Sequence, residues 1–483
     1  MNNTAKACGC SIDRILFQDE QYIFITDAQK QSDTPAGKSY VAYSIRLSDI
    51  ETRRRYSEFE SLRKALCHLH PYLIVPPIPE KHSLVDYAAL QTRVKDDLAM
   101  VKKRKRMLQT FLNRVARHPQ LGRDHVFHRF LENGVIWSDV LHSPPLSTLP
   151  RNPLHMILSK DSDLQHRNIL LASNLIPIPS PTYILKTPNP QFEESEKFTF
   201  RIANYMGNNL DKSQRKVIRR LGELANDYAE LGAVYNGFSL NESGALANAI
   251  EKIGQAVDTS YTETAQMVAS LEGDFSEPIQ EHSQFAQIVK QVLRFRHMKH
   301  AQVEMIEDSL GSKKETLEML QQMESEAQRL EHAISSPEIS NGGADDGTTA
   351  EQLNNNSPIS SNTQVLARRS TTRPWSSPVR MMNAVGHQLQ GMIDVDPEAT
   401  RRNQIGKTKD AMEMLQGALD VTRKDLTEIS SELKTELDRF QREKVKDLRD
   451  MLIAYAKIHA RYCQKNLESW QEVRAEIDKI PMA

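Results

Sequence analysis

Three segments of the chain gather side chains suited to holding phosphate. They are Arg53-Arg-Arg-Tyr-Ser-Glu-Phe59, Pro76-Pro-Ile-Pro-Glu-Lys81 and Lys102-Lys-Arg-Lys-Arg-Met-Leu-Gln-Thr-Phe-Leu112. A guanidinium presents a fork of N–H donors that a phosphate can accept in pairs, and an ammonium supplies a compact second charge. An aromatic ring beside them gives a flat face beneath an inositol-like ring. Taken singly, Arg53–Arg55 reads as a solvated strand end, and Lys102–Arg106 reads as a solvated helix face or a nuclear-type basic run. Their order along the chain, with Tyr56 and a Pro-Pro-x-Pro-x-Lys turn between them, points instead to one anionic head-group site.

Other reactive side chains are sparse. The four cysteines are Cys8, Cys10, Cys67 and Cys463, and they form no disulfide-like pattern. Cys8-Gly-Cys10 has the look of half a metal site, but the sequence offers no second cysteine pair, so no metal and no other cofactor are expected. His68-Leu-His70 and the His297–His300 pair lack carboxylates in sequence reach. No P-loop, dinucleotide fingerprint, nucleophile elbow or zinc spacing occurs, so the chain reads as a non-enzyme. A nucleic-acid role would rest on Lys102–Arg106 alone and is not expected.

The elements that must position these residues follow from pattern. Residues 11–48 are rich in β-branched and aromatic types and read as strands, with Thr34-Pro-Ala-Gly37 as a turn. Phe59, Leu62, Leu66 and Leu69 then fall at helical spacing, as do Leu98, Val101, Leu108, Phe111, Leu112 and Val115. The run Pro76–Pro79 between these helices must be extended. A short helix around Val126–Leu131 closes an α+β domain over residues 11–132, after a tail at 1–10. Residues 133–190 form a Pro-rich connector, either packed on a neighbour or flexible.

From residue 191 the pattern is helical. Helices are expected at about 191–237, 240–270, from Pro278 to 333, and at 401–479. The last would be about 115 Å long at 1.5 Å per residue. That length implies an elongated, all-α, coiled-coil-like bundle of three long helices. Residues 334–400 interrupt it, and 334–376 are low-complexity polar sequence with too little apolar area to order themselves. With 483 residues, 26% charged and only 6% aromatic, the composition suits helical layers better than one large core. The first ten residues lack the apolar run of a signal peptide, and no stretch approaches the roughly 20 apolar residues of a membrane span. Any membrane contact is therefore expected to be peripheral, from a reducing, cytoplasmic compartment.

The three ordered motifs resemble those of a PX (phox-homology) domain over about residues 11–132. The resemblance implies that Arg55 holds the 3-phosphate of phosphatidylinositol 3-phosphate and that Tyr56 packs against the inositol ring. It implies further that Lys81 holds the 1-phosphate and Arg104 bonds the ring hydroxyls. Ser57 stands where some members carry a further basic residue, so that contact is absent. Leu84, Val85 and Tyr87, beyond Lys81, are candidates for dipping into the membrane, or else pack beneath the Pro-rich loop.

A PX domain followed by long helices resembles the PX-BAR sorting nexins, whose bundles pair and meet the bilayer with a basic concave face. Candidate cations are Arg215, Lys216, Arg219 and Arg220; Lys290, Arg294, Arg296 and Lys299; and Arg439, Arg442, Lys444, Lys446 and Arg449. The segments at Phe238–Gly244, Ala249–Val257, Ser283–Ile288 and Asp438–Asp450 resemble the fungal members that work in selective autophagy and endosomal retrieval. That implies a peripheral place on endosomal and pre-autophagosomal membranes. The implied roles are cytoplasm-to-vacuole transport and retrieval to the late Golgi. The implied partners are a second sorting nexin, as heterodimer or homodimer, and the autophagy-initiation scaffold. Within the insert, Met382, Val385, Leu389 and Met392 fall on one helical stripe after Pro378. They mark 379–393 as a candidate interfacial amphipathic helix, or as a lead-in to the last long helix. The alternative for the whole chain is a cytosolic coiled-coil scaffold without lipid specificity.

Overall fold

The computed structural model describes residues 8–17, 21–31, 40–80, 94–157, 176–335 and 397–481. Lys81, Leu84, Val85, Tyr87 and the stripe Met382, Val385, Leu389 and Met392 lie outside them. The N-terminal part is α+β. Helix α1 (Ser11–Phe17) precedes strands β1 (Phe24–Gln31), β2 (Tyr40–Leu47) and β3 (Ile50–Arg55), which form one antiparallel sheet in the order β1-β2-β3. Helices α2 (Tyr56–Leu69), α3 (Val94–Arg117), α4 (His125–Leu131) and α5 (Trp137–Leu141) follow. Residues 11–17 are thus helical, not the strand their β-branched content suggests. Ile12 and Leu16 are four apart, a spacing that a strand face and a helical turn both satisfy, but the adjacent Ile12 and Asp13 are both buried, which strand alternation does not give.

The core of this part is aromatic. Tyr43, Phe59, Phe130 and Trp137 meet edge to face in sequence, with centroids 6.1, 5.1 and 5.0 Å apart. Trp137 donates its indole N–H to Ser61 Oγ at 2.6 Å, which satisfies its one polar atom. The entry to β1 is held by side chains of α3. Asn113 Oδ1 accepts from the Ile23 N–H at 3.0 Å, and Gln109 Oε1 accepts from the Ile25 N–H at 2.8 Å. These bonds replace ladder bonds that the strand's first residues would otherwise lack.

The remaining described helices are long. Helix α6 (Pro190–Ala203) continues through a π-turn at Asn204–Leu210 into α7 (Asp211–Ser239). After a short turn, α8 (Gly244–Leu271) continues through a second π-turn at Glu272–Ser276 into α9 (Glu277–Ser335). The last helix, α10, spans Pro397–Ile477. The break expected before Pro278 does not occur. Proline lacks the N–H that would bond to the carbonyl four residues back, and here that carbonyl belongs to Asp274, inside the widened π-turn. None of the described helices is long and apolar enough to cross a membrane.

The chain divides into two compact units, one of residues 1–306 with 418–483 and one of residues 307–417. Within the first unit, α3 and its flanks dock on the long helices. Ile74 packs in a cluster with Phe285, Ile288, Val292 and Leu433. The Arg114 guanidinium forms a two-point pair with Glu281 at 2.7 and 2.8 Å and reaches Asp447 at 2.8 Å. The described parts of the Pro-rich connector are packed. Glu304 on α9 accepts from the Lys186 and Thr187 N–H groups at 3.0 and 2.9 Å, and Lys299 donates to the Met156 carbonyl at 2.6 Å. Within the second unit, Glu324 on α9 pairs with Arg401 and Arg402 on α10 at 3.2 and 3.4 Å.

Candidate functional site

The three consecutive arginines are sorted by the two-residue period of β3. Thr52 and Arg54 face inward, while Glu51, Arg53 and Arg55 face solvent. Arg54 is an internal clamp. Its Nε donates to the Phe130 carbonyl at 2.9 Å and its Nη1 to the Val135 carbonyl at 3.0 Å, with the Arg129 and Glu132 carbonyls at 3.4 Å. It therefore ties the end of α4 to the sheet, and burial pulls its pKa below the ordinary arginine value. Arg55 is left exposed, with its guanidinium over the Tyr40 ring at 5.9 Å.

Arg55 also marks the strand-to-helix junction. Its backbone N–H donates to Glu58 Oε2 at 2.8 Å, the reciprocal half of a capping box, which starts α2 at Tyr56. Phe59, Leu62 and Leu66 then anchor α2 in the core. Tyr56 is held at both ends. Its hydroxyl donates to the Pro79 carbonyl, and the Arg104 guanidinium lies over its ring at 4.9 Å. Burial pushes the Tyr56 phenol up, so it is a neutral donor at physiological pH.

The Pro-rich turn is fixed from below as well, since Arg63 Nε donates to the Pro76 carbonyl at 2.9 Å. Of the four expected head-group residues, the structure thus brings Tyr56 and Arg104 into direct contact and places Arg55 next to Tyr56 on the solvent side. A cavity of about 1020 Å³ opens beside Arg104, lined also by Pro79, Lys103, Arg106, Arg215 and Arg219. It carries acidic walls too: Arg106 pairs with Glu277.

The expected cations of the long helices separate into two groups. Lys299 is buried and pairs with Asp425 at 2.7 Å. Arg296 is buried over the Phe192 ring at 4.0 Å, and its pKa falls to about 10 through burial. Arg439 pairs with Glu436 and Glu443, and Lys444 is buried over the Phe198 ring. Lys299, Arg296 and Lys444 tie one helix to another rather than face a bilayer, and their partners on other helices are not revealed by heptad spacing. Arg439 pairs within α10, one turn to either side. Lys216, Arg220, Lys290, Arg442, Lys446 and Arg449 are exposed.

One constellation escaped the sequence. Cys8 and Cys10, read there as a half site without a second pair, lie beside His125 and His128 of α4. The signal in the sequence was the spacing His125-x-x-His128, which puts both imidazoles on one helical face. Only the fold brings it to a cysteine pair more than a hundred residues away.

Comparison with known proteins agrees with this geometry. Residues 43–134 match the PX domain family. Sorting nexin-41 of Cryptococcus neoformans is 41% identical over 98% of this chain and 74% of its own length. Autophagy-related protein 20 of Gibberella zeae is 36% identical over 97% of this chain and 86% of its own length. Among solved structures, the cryo-electron-microscopy structure of the SNX-BAR Mvp1 tetramer matches with a TM-score of 0.48 at 14% identity, covering 93% of this chain and 99% of that one. A PX sheet ending at Arg55, the helix that Tyr56 opens, the long helices that follow and relatives that match this chain almost end to end converge: the chain belongs to the fungal sorting nexins represented by sorting nexin-41 and autophagy-related protein 20.

Proposed function

We propose that the protein is a peripheral membrane adaptor that binds phosphatidylinositol 3-phosphate on endosomal and pre-autophagosomal membranes. It acts there in endosome-to-Golgi retrieval, protein transport and selective autophagy. The observation that carries this reading is Tyr56, clamped between the Pro79 carbonyl and the Arg104 guanidinium, with Arg55 exposed beside it. A ring fixed in this way is a preorganised floor for an inositol, and among the described residues no carboxylate pairs with the Arg55 guanidinium.

In this reading Arg55 holds the 3-phosphate, Lys81 holds the 1-phosphate and Arg104 bonds the ring hydroxyls. Leu84, Val85 and Tyr87, and the stripe Met382, Val385, Leu389 and Met392, add apolar contacts with the interface. The exposed cations of the long helices contribute about 1 kcal/mol each near an anionic surface. Pairing with a second sorting nexin, or with a second copy, doubles the weak head-group site into an avid one. The autophagy-initiation scaffold is the partner proposed from the family.

Liposome flotation tests the reading. The chain is expected to float with vesicles containing phosphatidylinositol 3-phosphate and to stay behind with neutral vesicles, and Arg55→Ala is expected to abolish the difference. Equal flotation with both vesicles, or none with either, would favour a cytosolic coiled-coil scaffold.

A further inference from the structure

The cluster of Cys8, Cys10, His125 and His128 has no place in head-group recognition. Its four donor atoms all lie within 4.8 Å of one another. The Cys8 and Cys10 sulfurs are 3.1 Å apart, and His128 Nδ1 lies 3.1 Å from the first and 3.3 Å from the second. The imidazoles of His125 and His128 are perpendicular, with centroids 6.3 Å apart.

Thiol hydrogen bonds, Cys8 to Cys10 and one thiol to His128, use only part of this arrangement and leave His125 outside it. A neutral imidazole has one lone pair, so Nδ1 of His128 accepts from one thiol, not two. The tautomer is fixed from the other side. His128 Nε2 meets the Gly122 carbonyl at 2.7 Å, so Nε2 carries the proton and Nδ1 turns its lone pair toward the sulfurs. A Cβ at Gly122 would stand 2.3 Å from the Ala116 carbonyl oxygen, so the residue whose carbonyl meets His128 has room only as glycine. On the cysteine side, Gly9 has φ +67°, a left-handed conformation that folds the two thiols to the same side. The Asp13 N–H points at Cys10 Sγ at 3.4 Å, a backbone donor suited to a thiolate.

We infer that Cys8, Cys10, His125 and His128 form a structural zinc site that pins the N-terminal segment to α4. Two thiolates and two imidazoles are the donor set of closed, tetrahedral zinc sites, and with all four positions filled by protein the ion is structural. Hard cations such as magnesium or calcium would require oxygen ligands instead. The ion closes a loop of 120 residues between Cys8 and His128. It thereby anchors α4, whose C-terminal carbonyls Phe130 and Glu132 hold Arg54 on the strand that presents Arg55.

The test uses the full chain purified without a histidine tag. Elemental analysis should find about one zinc per chain. Replacement by Co²⁺ should give the visible bands of tetrahedral cobalt with a thiolate-to-cobalt charge-transfer band in the near ultraviolet. Cys8→Ser/Cys10→Ser should lose both signals, and Cys463→Ser should keep them. Should the double variant fail to fold, His125→Gln, at an exposed position, should fold and weaken Co²⁺ binding. A strong chelator should lower the melting temperature of the native chain. Zinc at background level in the native chain, a Cys8–Cys10 disulfide detected by mass, or full metal retention by the double variant would each overturn the site.

Discussion

Glu436 on α10 is one of the carboxylates on which the PX part is docked, and its replacement by glutamine tests that docking quantitatively. It is 4% exposed and accepts from the Ile74 N–H at 3.0 Å and from Arg439 at 2.7 and 2.9 Å, and it faces His118 Nε2 at 3.1 Å. Burial works against its charge, but these donors win and hold its pKa at about 2, below an ordinary 4.5. That difference corresponds to about 3 kcal/mol of stability. A carboxylate held below its unfolded value contributes fully above pH about 4.5 and loses the contribution as the pH falls toward 2. Glu436→Gln should therefore lower stability by about 3 kcal/mol at pH 7, and more than half of the gap should be gone by about pH 3. Differential scanning calorimetry of both proteins between these values reads the gap directly. A gap that is constant with pH, or a variant as stable as the native chain at pH 7, would refute the docking role of Glu436.

Further outcomes follow from the same geometry. Arg54→Met should destabilise the PX part by about 3 kcal/mol or more, because several carbonyls lose a buried charged donor; Arg53→Ala, at an exposed neighbour, should stay within about 0.5 kcal/mol in the same denaturant titration. His282 is buried among Asp447, Arg114 and Lys444, and its pKa is lowered to about 4, chiefly by burial. A histidine held below its unfolded value loses stability as the pH falls from 6.5 toward 4, so His282→Leu should flatten the melting-temperature profile across that window. A profile as steep as that of the native chain would show that another group sets the acid sensitivity.

Much of this fold was legible because its signals are local. The apolar seam along α10 placed a helix at 401–479 where the structure has Pro397–Ile477, and the change of period over 57–70 matches α2 at Tyr56–Leu69. What sequence could not supply was register and long-range partnership. Nothing in Arg53-Arg-Arg55 says which arginine turns inward until β3 pairs with β2 as Ala42 with Arg55 and Ser44 with Arg53. Lys299 is only a candidate cation in the sequence because Asp425, its buried partner, is 126 residues away. The same distance effect hid His125 and His128 from Cys8 and Cys10. Residues 11–17 differ for a local reason: β-branched content favours a strand, and the four-residue spacing of Ile12 and Leu16 fits either element.

In the proposed function Arg55, and not its neighbours, reads the lipid phosphate. The most direct measurement is the affinity ratio of the full chain for vesicles with phosphatidylinositol 3-phosphate over vesicles with phosphatidylinositol, compared for the native chain, Arg53→Ala and Arg55→Ala. A charge-assisted phosphate contact worth about 1.5–3 kcal/mol predicts that Arg55→Ala lowers the ratio by about tenfold to a hundredfold. Arg53→Ala should leave it nearly unchanged. A ratio that survives Arg55→Ala, or falls equally with Arg53→Ala, would contradict the assignment.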